Sequence, residues 1–242
     1  MKKAQVTPII IVAIVLVIGF GIYFAIPEGQ VEKVDPSIEP IYNFVQGCLE
    51  ENTKDAILEI SKYGGYFNVP EDNFERFPYY VKNGRRLMPS TEIIGNEISE
   101  YVEIAMYFCV REFDDFPSFN VESNEIDVKT VINDGRIDFS VNYPLSIRKG
   151  DNNFEVKRFE ESVDARLGKM IDLAEFLVVD QLDHPISLCI TCGAYITETY
   201  EMDYNNINFG EGNFLHSISD SKIKIDNQPL EFNFAIGLEV GA

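Results

Sequence analysis

The segment FNVESNEIDVKTVIND (residues 119–134), continued by GRIDFSVNYPLSIRKGDNNFEVKRFEESVDARL (residues 135–167), decides the fold. Within it Ile137, Phe139, Val141 and Tyr143 alternate with Asp138, Ser140 and Asn142, the two-residue period of a strand that buries one face. Asp134-Gly135 and Gly150-Asp151 are turn pairs that divide the segment. The pattern predicts a meander of three antiparallel strands.

Outward from the meander the period becomes helical. From Ile38 to Lys62 the apolar residues Ile41, Phe44, Val45, Cys48, Leu49, Ala56, Ile57 and Ile60 recur mostly at three or four, and Gly64 with Gly65 ends the run. Residues 63–89 are rich in Tyr, Phe, Pro and Asn and predict a loop with a small hairpin turning at Asn83-Gly84. The aromatic cluster Phe74, Phe77, Tyr79 and Tyr80 reads as core, with an exposed binding loop over residues 66–80 as the alternative. Ser90 is placed to cap a second helix running to about Arg111, with Ile94, Ile98, Val102, Ala105, Met106 and Cys109 on one face. After the meander, Leu167 to Gln181 predicts a third helix, and Pro185 the start of a short fourth across Leu188 to Ile196. The tail SKIKIDNQPLEFNFAIGL (residues 221–238) alternates about a turn at Asp226 to Pro229. The predicted class is α+β, with helices packed on an antiparallel sheet over residues 38–242.

The amino-terminal part has a different composition. Residues 9–26, IIIVAIVLVIGFGIYFAI, carry no charge, and at about 1.5 Å per residue they approach the roughly 30 Å of a bilayer core, so the expectation is a transmembrane helix. Lys2 and Lys3 lie in the short head 1–8 and place it in the cytoplasm, with the folded domain outside the cell membrane. Residues 27–37, with prolines and acidic groups, read as a stalk. The opening MKKAQVTPIIIVAIVLVIGF, a lysine head, a small residue, Gln and a Thr-Pro pair entering the apolar run, resembles the class III signal of archaeal pilins and pilin-like surface proteins. That resemblance covers about 20 of 242 residues; it implies cleavage between Ala4 and Gln5 and retention of the apolar helix in the mature subunit. The whole chain is similar to uncharacterised membrane-anchored archaeal surface proteins, which implies a location and no activity.

Forty acidic against twenty basic residues give a formal net charge of -20, which excludes a nucleic-acid groove as the default, since no basic patch offsets it. Eighteen Phe and twelve Tyr supply a core, so the acidity belongs to a solvated surface. Four cysteines, Cys48, Cys109, Cys189 and Cys192, are the sharpest local feature. They allow three disulfide connectivities, of which Cys48 with Cys109 and Cys189 with Cys192 is favoured, because the first two sit on apolar helix faces and the last two are three apart. Two other readings of C-I-T-C stay open. A redox dithiol fits a helix amino terminus within HPISLCITCGAY, although a thioredoxin-like site follows a strand in an early βαβ unit. A zinc site needs two further ligands, from Cys48 and Cys109 or His184 and His216, at spacings unlike an ordinary finger. The two histidines otherwise read as surface or turn residues.

Acidic neighbours such as Asp114-Asp115 and Glu160-Glu161 mark a solvated face unless one is driven into an apolar cleft. The sequence holds no G-x-S-x-G, Walker, G-x-G-x-x-G, H-E-x-x-H or EF-hand pattern. The expectation is a single-pass, non-enzymatic surface or pilin-like assembly component with no cofactor or metal. Its expected partners are the lipid bilayer and proteins, or copies of itself through the amino-terminal helix. A ligand- or partner-binding envelope module is the alternative.

Overall fold

The computed structural model describes residues 34–111, 113–189 and 191–238. The apolar run 9–26, the cleavage point at Ala4 and Gln5, and most of the stalk lie outside the described residues. Among the described residues no helix is long and apolar enough to cross a membrane. Ile38–Ala242 forms one compact unit.

Among the described residues the fold is α+β, with four α-helices against two sheets. Helix α1 (Glu39–Lys62) carries Pro40 in its first turn and buries Ile41, Val45, Leu49, Ala56, Ile57 and Ile60. It ends where Gly64 and Gly65 take φ of +58° and +80°, a region open to glycine at no steric cost. A side chain at Gly64 would also meet the Asn233 carbonyl oxygen at 2.7 Å. Helix α2 (Thr91–Val110) is capped by Ser90, whose hydroxyl accepts from the Ile93 amide at 3.3 Å. Helix α3 covers Leu167–Asp183 and helix α4 covers Cys192–Tyr200.

The smaller sheet is the meander. Strands β4 (Asn120–Ser123) and β5 (Asp127–Ile132) pair end to end with one edge of β6 (Arg136–Lys149), and β7 (Asn152–Asp164) pairs with the other. Along β6 the residues Ile137, Phe139, Val141, Tyr143, Leu145 and Ile147 are buried, the alternation read from the sequence. The first strand of that meander is broken at residues 124–126 into two short pieces.

The larger sheet runs β1 (Asn73–Phe74), β2 (Phe77–Lys82), β10 (Gln228–Gly237), β9 (Asn213–Ile225) and β8 (Asp203–Gly210), with β3 (Arg85–Arg86) pairing with β2. Four differences from the sequence reading arise here. The region 63–89 supplies a sheet strand: Tyr79, Tyr80 and Val81 are buried, and β2 lies parallel to β10 with Tyr79 opposite Ala235. The sheet is therefore not wholly antiparallel. The terminal hairpin gains a third strand, because the exposed, Asn-rich β8 pairs along β9 without the alternation that would have announced it. The fourth helix begins at Cys192 and not near Pro185, because residues 184–187 turn back, the Ser187 amide donating to the His184 carbonyl at 3.2 Å. The two tight turns match their residues: Asn83-Gly84 and Asp226-Asn227 have positive φ at both positions, as type I′ hairpins require.

The helices hold the two sheets together. Helix α1 packs on both β10 and β7, α2 packs on α1 and β5, and α3 packs on β2, β3, β10 and β6. Each fully buried aliphatic or aromatic side chain in this layer contributes about 1.5–3 kcal/mol. At the centre Tyr80 stacks on Phe234 at 4.4 Å between ring centroids and donates its hydroxyl to the Gly64 carbonyl at 2.8 Å. Tyr79 and Tyr80 are thus core, while Phe74 and Phe77 are half-buried at the edge, Phe74 lying 5.2 Å from the Phe209 ring.

Candidate functional site

All four cysteines lie among the described residues and all are in disulfides. Cys48 on α1 is joined to Cys109 on α2, with Cα atoms 6.0 Å apart, so the bond clamps two packed helices. Cys48 is buried and Cys109 half-buried. The second bond joins Cys189 to Cys192, and its surroundings are different. Thr191 occupies the cap position of α4, Cys192 is its first residue, and the Cys192 amide donates to Cys189 Sγ at 3.1 Å. The Thr191 hydroxyl lies 3.8 Å from the same sulfur.

The two sulfurs are unequal. Cys192 is 1% exposed, whereas Cys189 is only half-buried. An oxygen of the Asp180 carboxylate, from the last turn of α3, lies within 4.8 Å of both sulfurs. His184, one turn further, faces Asp180, its Nδ1 3.5 Å from Oδ1. His184 is exposed and does not approach the cysteine pair as a fourth ligand in this geometry. Cys48 and Cys109 are bonded to each other, so neither sulfur is available to complete a zinc site with Cys189 and Cys192.

Exposed apolar side chains lie on the elements that carry this disulfide and Asp180. Phe176 and Val179 precede Asp180 on α3, Ile186 is 75% exposed in the connecting turn, and Tyr195 follows Cys192 by one turn. The Phe176 and Tyr195 rings are 5.3 Å apart, so α3 and α4 present them as one patch. Such a patch beside a polar reactive group is a common mark of a contact surface.

His216 corrects the surface reading of that residue. It is 2% exposed, stacks on Phe234 at 5.3 Å, and shares a 2.7 Å hydrogen bond through Nδ1 with the Tyr204 hydroxyl. Its Nε2 has no hydrogen-bond partner among the described residues. Burial lowers its pKa to about 4, so the ring is neutral at physiological pH. Tyr204 in turn packs under α4: a Cβ at Gly193 would lie 2.9 Å from its ring.

Asp220, also on β9, is fully buried and forms a two-pronged ion pair with Arg166, Oδ2 to Nε at 2.7 Å and Oδ1 to Nη2 at 2.6 Å. Arg166 also donates to the carbonyls of Tyr200 at 3.0 Å and Glu201 at 3.3 Å, and so ties the end of α4 to the sheet. Burial pushes the Asp220 carboxyl up, but Arg166 and the amides of Lys222 and Ile223 outweigh it and hold it below the usual range. The sequence carried a signal for both residues. His216 and Asp220 flank Ile218 at two-residue spacing, so an inward Ile218 turns both inward. The sequence reading placed His216 within a strand but gave it a surface side chain.

The remaining candidates are weaker. Glu160 and Asp115 are exposed, and Glu161 Oε2 accepts from Gln46 at 3.0 Å, so none of these three carboxylates sits unpartnered in an apolar cleft. A groove of about 190 Å³ between Lys129, Asn142 and Arg158 on the meander is smaller than the roughly 300–1,000 Å³ of ordinary ligand sites. The half-exposed disulfide at the start of α4 is therefore the best-formed chemical feature among the described residues. No protein-family model, no curated protein and no solved structure matches the chain.

Proposed function

We propose that the chain is held in the cell membrane by a single span at residues 9–26, with its amino terminus inside and its folded domain outside. In this reading it is a non-enzymatic surface or pilin-like assembly component. The observation that supports the outward placement is the closure of all four cysteines into two disulfides, because such bonds persist on the oxidising side of a membrane. The pilin-like element is the sequence MKKAQVTP before the apolar run, with processing between Ala4 and Gln5 and association through the retained helix.

Intact mass of the protein from native membranes, alkylated before and after reduction, tests both parts. Loss of Met1 to Ala4 and no alkylation of Cys48 or Cys109 before reduction is the expected result. A retained amino terminus would sink the pilin-type processing, and free Cys48 or Cys109 in the native protein would sink the outward placement. A partner-binding envelope module is a second reading, favoured by the exposed Ile104, Tyr107 and Phe108 on α2. Cross-linking in intact cells separates the two: self-products are expected for an assembly component, and a single foreign partner for a binding module.

A further inference from the structure

We propose that Cys189–Cys192 is an exchange-active disulfide that accepts electrons from a cysteine pair on another exported protein, docked on the apolar collar of α3 and α4. Four observations meet there. The bond is unequal, with Cys189 half-buried and Cys192 fully enclosed, so one sulfur is open to attack and the other is set to leave. The Cys192 amide already points at Cys189 Sγ from the first turn of a nine-residue helix, where an amide and the helix dipole favour a thiolate on that sulfur. Asp180 brings a carboxylate oxygen within 4.8 Å of both sulfurs. Phe176, Val179, Ile186 and Tyr195 supply exposed apolar area for a polypeptide substrate on the two helices that hold Asp180 and Cys192 and in the turn between them. The other disulfide is also unequal, with Cys48 buried and Cys109 half-buried beside the exposed Tyr107 and Phe108, but neither of its cysteines stands at a helix start, and among the described residues no carboxylate is grouped with it.

The exchange balances without another reagent. A thiol of the partner gives its proton to Asp180 and attacks Cys189 Sγ; the Sγ–Sγ bond breaks and its electron pair passes to Cys192, which takes the proton back from Asp180. The second partner thiol then attacks the partner sulfur in the mixed disulfide and releases Cys189, its proton going to that thiolate. The partner loses two electrons and two protons and gains a disulfide, while Cys189 and Cys192 become two thiols. This goes beyond the anchored-component reading and depends on it only for the supply of exported partners.

The test uses the full chain in detergent, with dithiothreitol as the dithiol probe. Alkylation and peptide mapping should show Cys189 and Cys192 opened in folded protein while Cys48–Cys109 stays closed. Asp180→Asn should slow that opening about tenfold or more, the low end of what a placed acid-base group contributes, with the unfolding midpoint unchanged. Cys192→Ser should capture a peptide carrying an activated disulfide at least about tenfold faster than Cys189→Ser, as an exposed, helix-stabilised thiolate requires. Opening of both bonds only under denaturing conditions, or equal capture by the two variants, would overturn the proposal. Replacing Phe176 and Tyr195 by Ser should weaken capture of an apolar peptide and leave opening by dithiothreitol unchanged; loss of both would point to a folding defect and remove the docking part.

Discussion

The buried imidazole at His216 makes the stability of the domain depend on pH in a way that can be worked from the structure. The folded ring titrates at about 4, against 6.5 for an ordinary histidine, because it is enclosed between Phe234 and Tyr204 with Nε2 unpartnered among the described residues. As pH falls through 6.5 the unfolded chain takes up a proton that the folded chain refuses. The contribution is therefore complete above that pH, declines between 6.5 and about 4, and levels off below. Linkage puts the loss at about 2 kcal/mol near pH 5 and about 3 kcal/mol once pH is well under 4. His216→Phe keeps a flat ring on Phe234 and removes the titration; the Tyr204 hydroxyl, left with only the 3.5 Å hydrogen bond from the Asn206 amide, adds an offset that does not vary in this range. Urea unfolding followed by tyrosine fluorescence serves as the assay, since the chain has no Trp. The difference between wild type and His216→Phe cancels the carboxylates common to both. A variant whose stability changes with pH as steeply as wild type between pH 7.5 and 5 would refute the reasoning.

Other perturbations have equally definite signs. Asp220→Asn or Arg166→Met leaves a buried charge or a set of carbonyls unpaired and should cost about 3 kcal/mol or more, read as a shift in the urea midpoint. Gly168→Ala in α3 should destabilise by about 1–3 kcal/mol, because its Cβ would fall 2.6 Å from the Asn133 carbonyl oxygen. Gly47→Ala in α1 should do the reverse by just under about 1 kcal/mol, since nothing lies within 4 Å of the added methyl. Thermal melts of the two glycine variants should move in opposite directions. Cys48→Ser with Cys109→Ser should lower stability by about 4 kcal/mol in the chain-entropy view of a loop with sequence separation 61, measured against the reduced and oxidised parent.

Local signals in the sequence were the dependable ones. Ser90 before an apolar period gave α2 its start, Asn83-Gly84 gave a hairpin its turn, and the alternation from Ile137 to Tyr143 gave β6 its buried face. What stayed hidden depends on partners far away along the chain. Tyr79 meets Ala235 in a parallel pair that no local pattern encodes, and β8 has side chains too polar and exposed to announce a strand. At the site the C-I-T-C spacing was visible, but its inequality was not. That Cys189 is open, Cys192 closed and Asp180 nearby follows from how α3 and α4 meet, a tertiary fact.

The parallel pairing of β2 with β10 has a consequence for how the molecule is made. Strand β2 lies early in the chain, and β10, its parallel neighbour, is the last strand among the described residues. Until β10 emerges, Tyr79, Tyr80 and Val81 have only the short strands β1 and β3 beside them, and a growing chain carries their core-facing side chains uncovered. Cys48 and Cys109 are both available long before that point, so their bond can clamp the first two helices while the sheet waits for completion. Ribosome-bound intermediates truncated before residue 228 should therefore be protease-sensitive at β2 even when that clamp has closed.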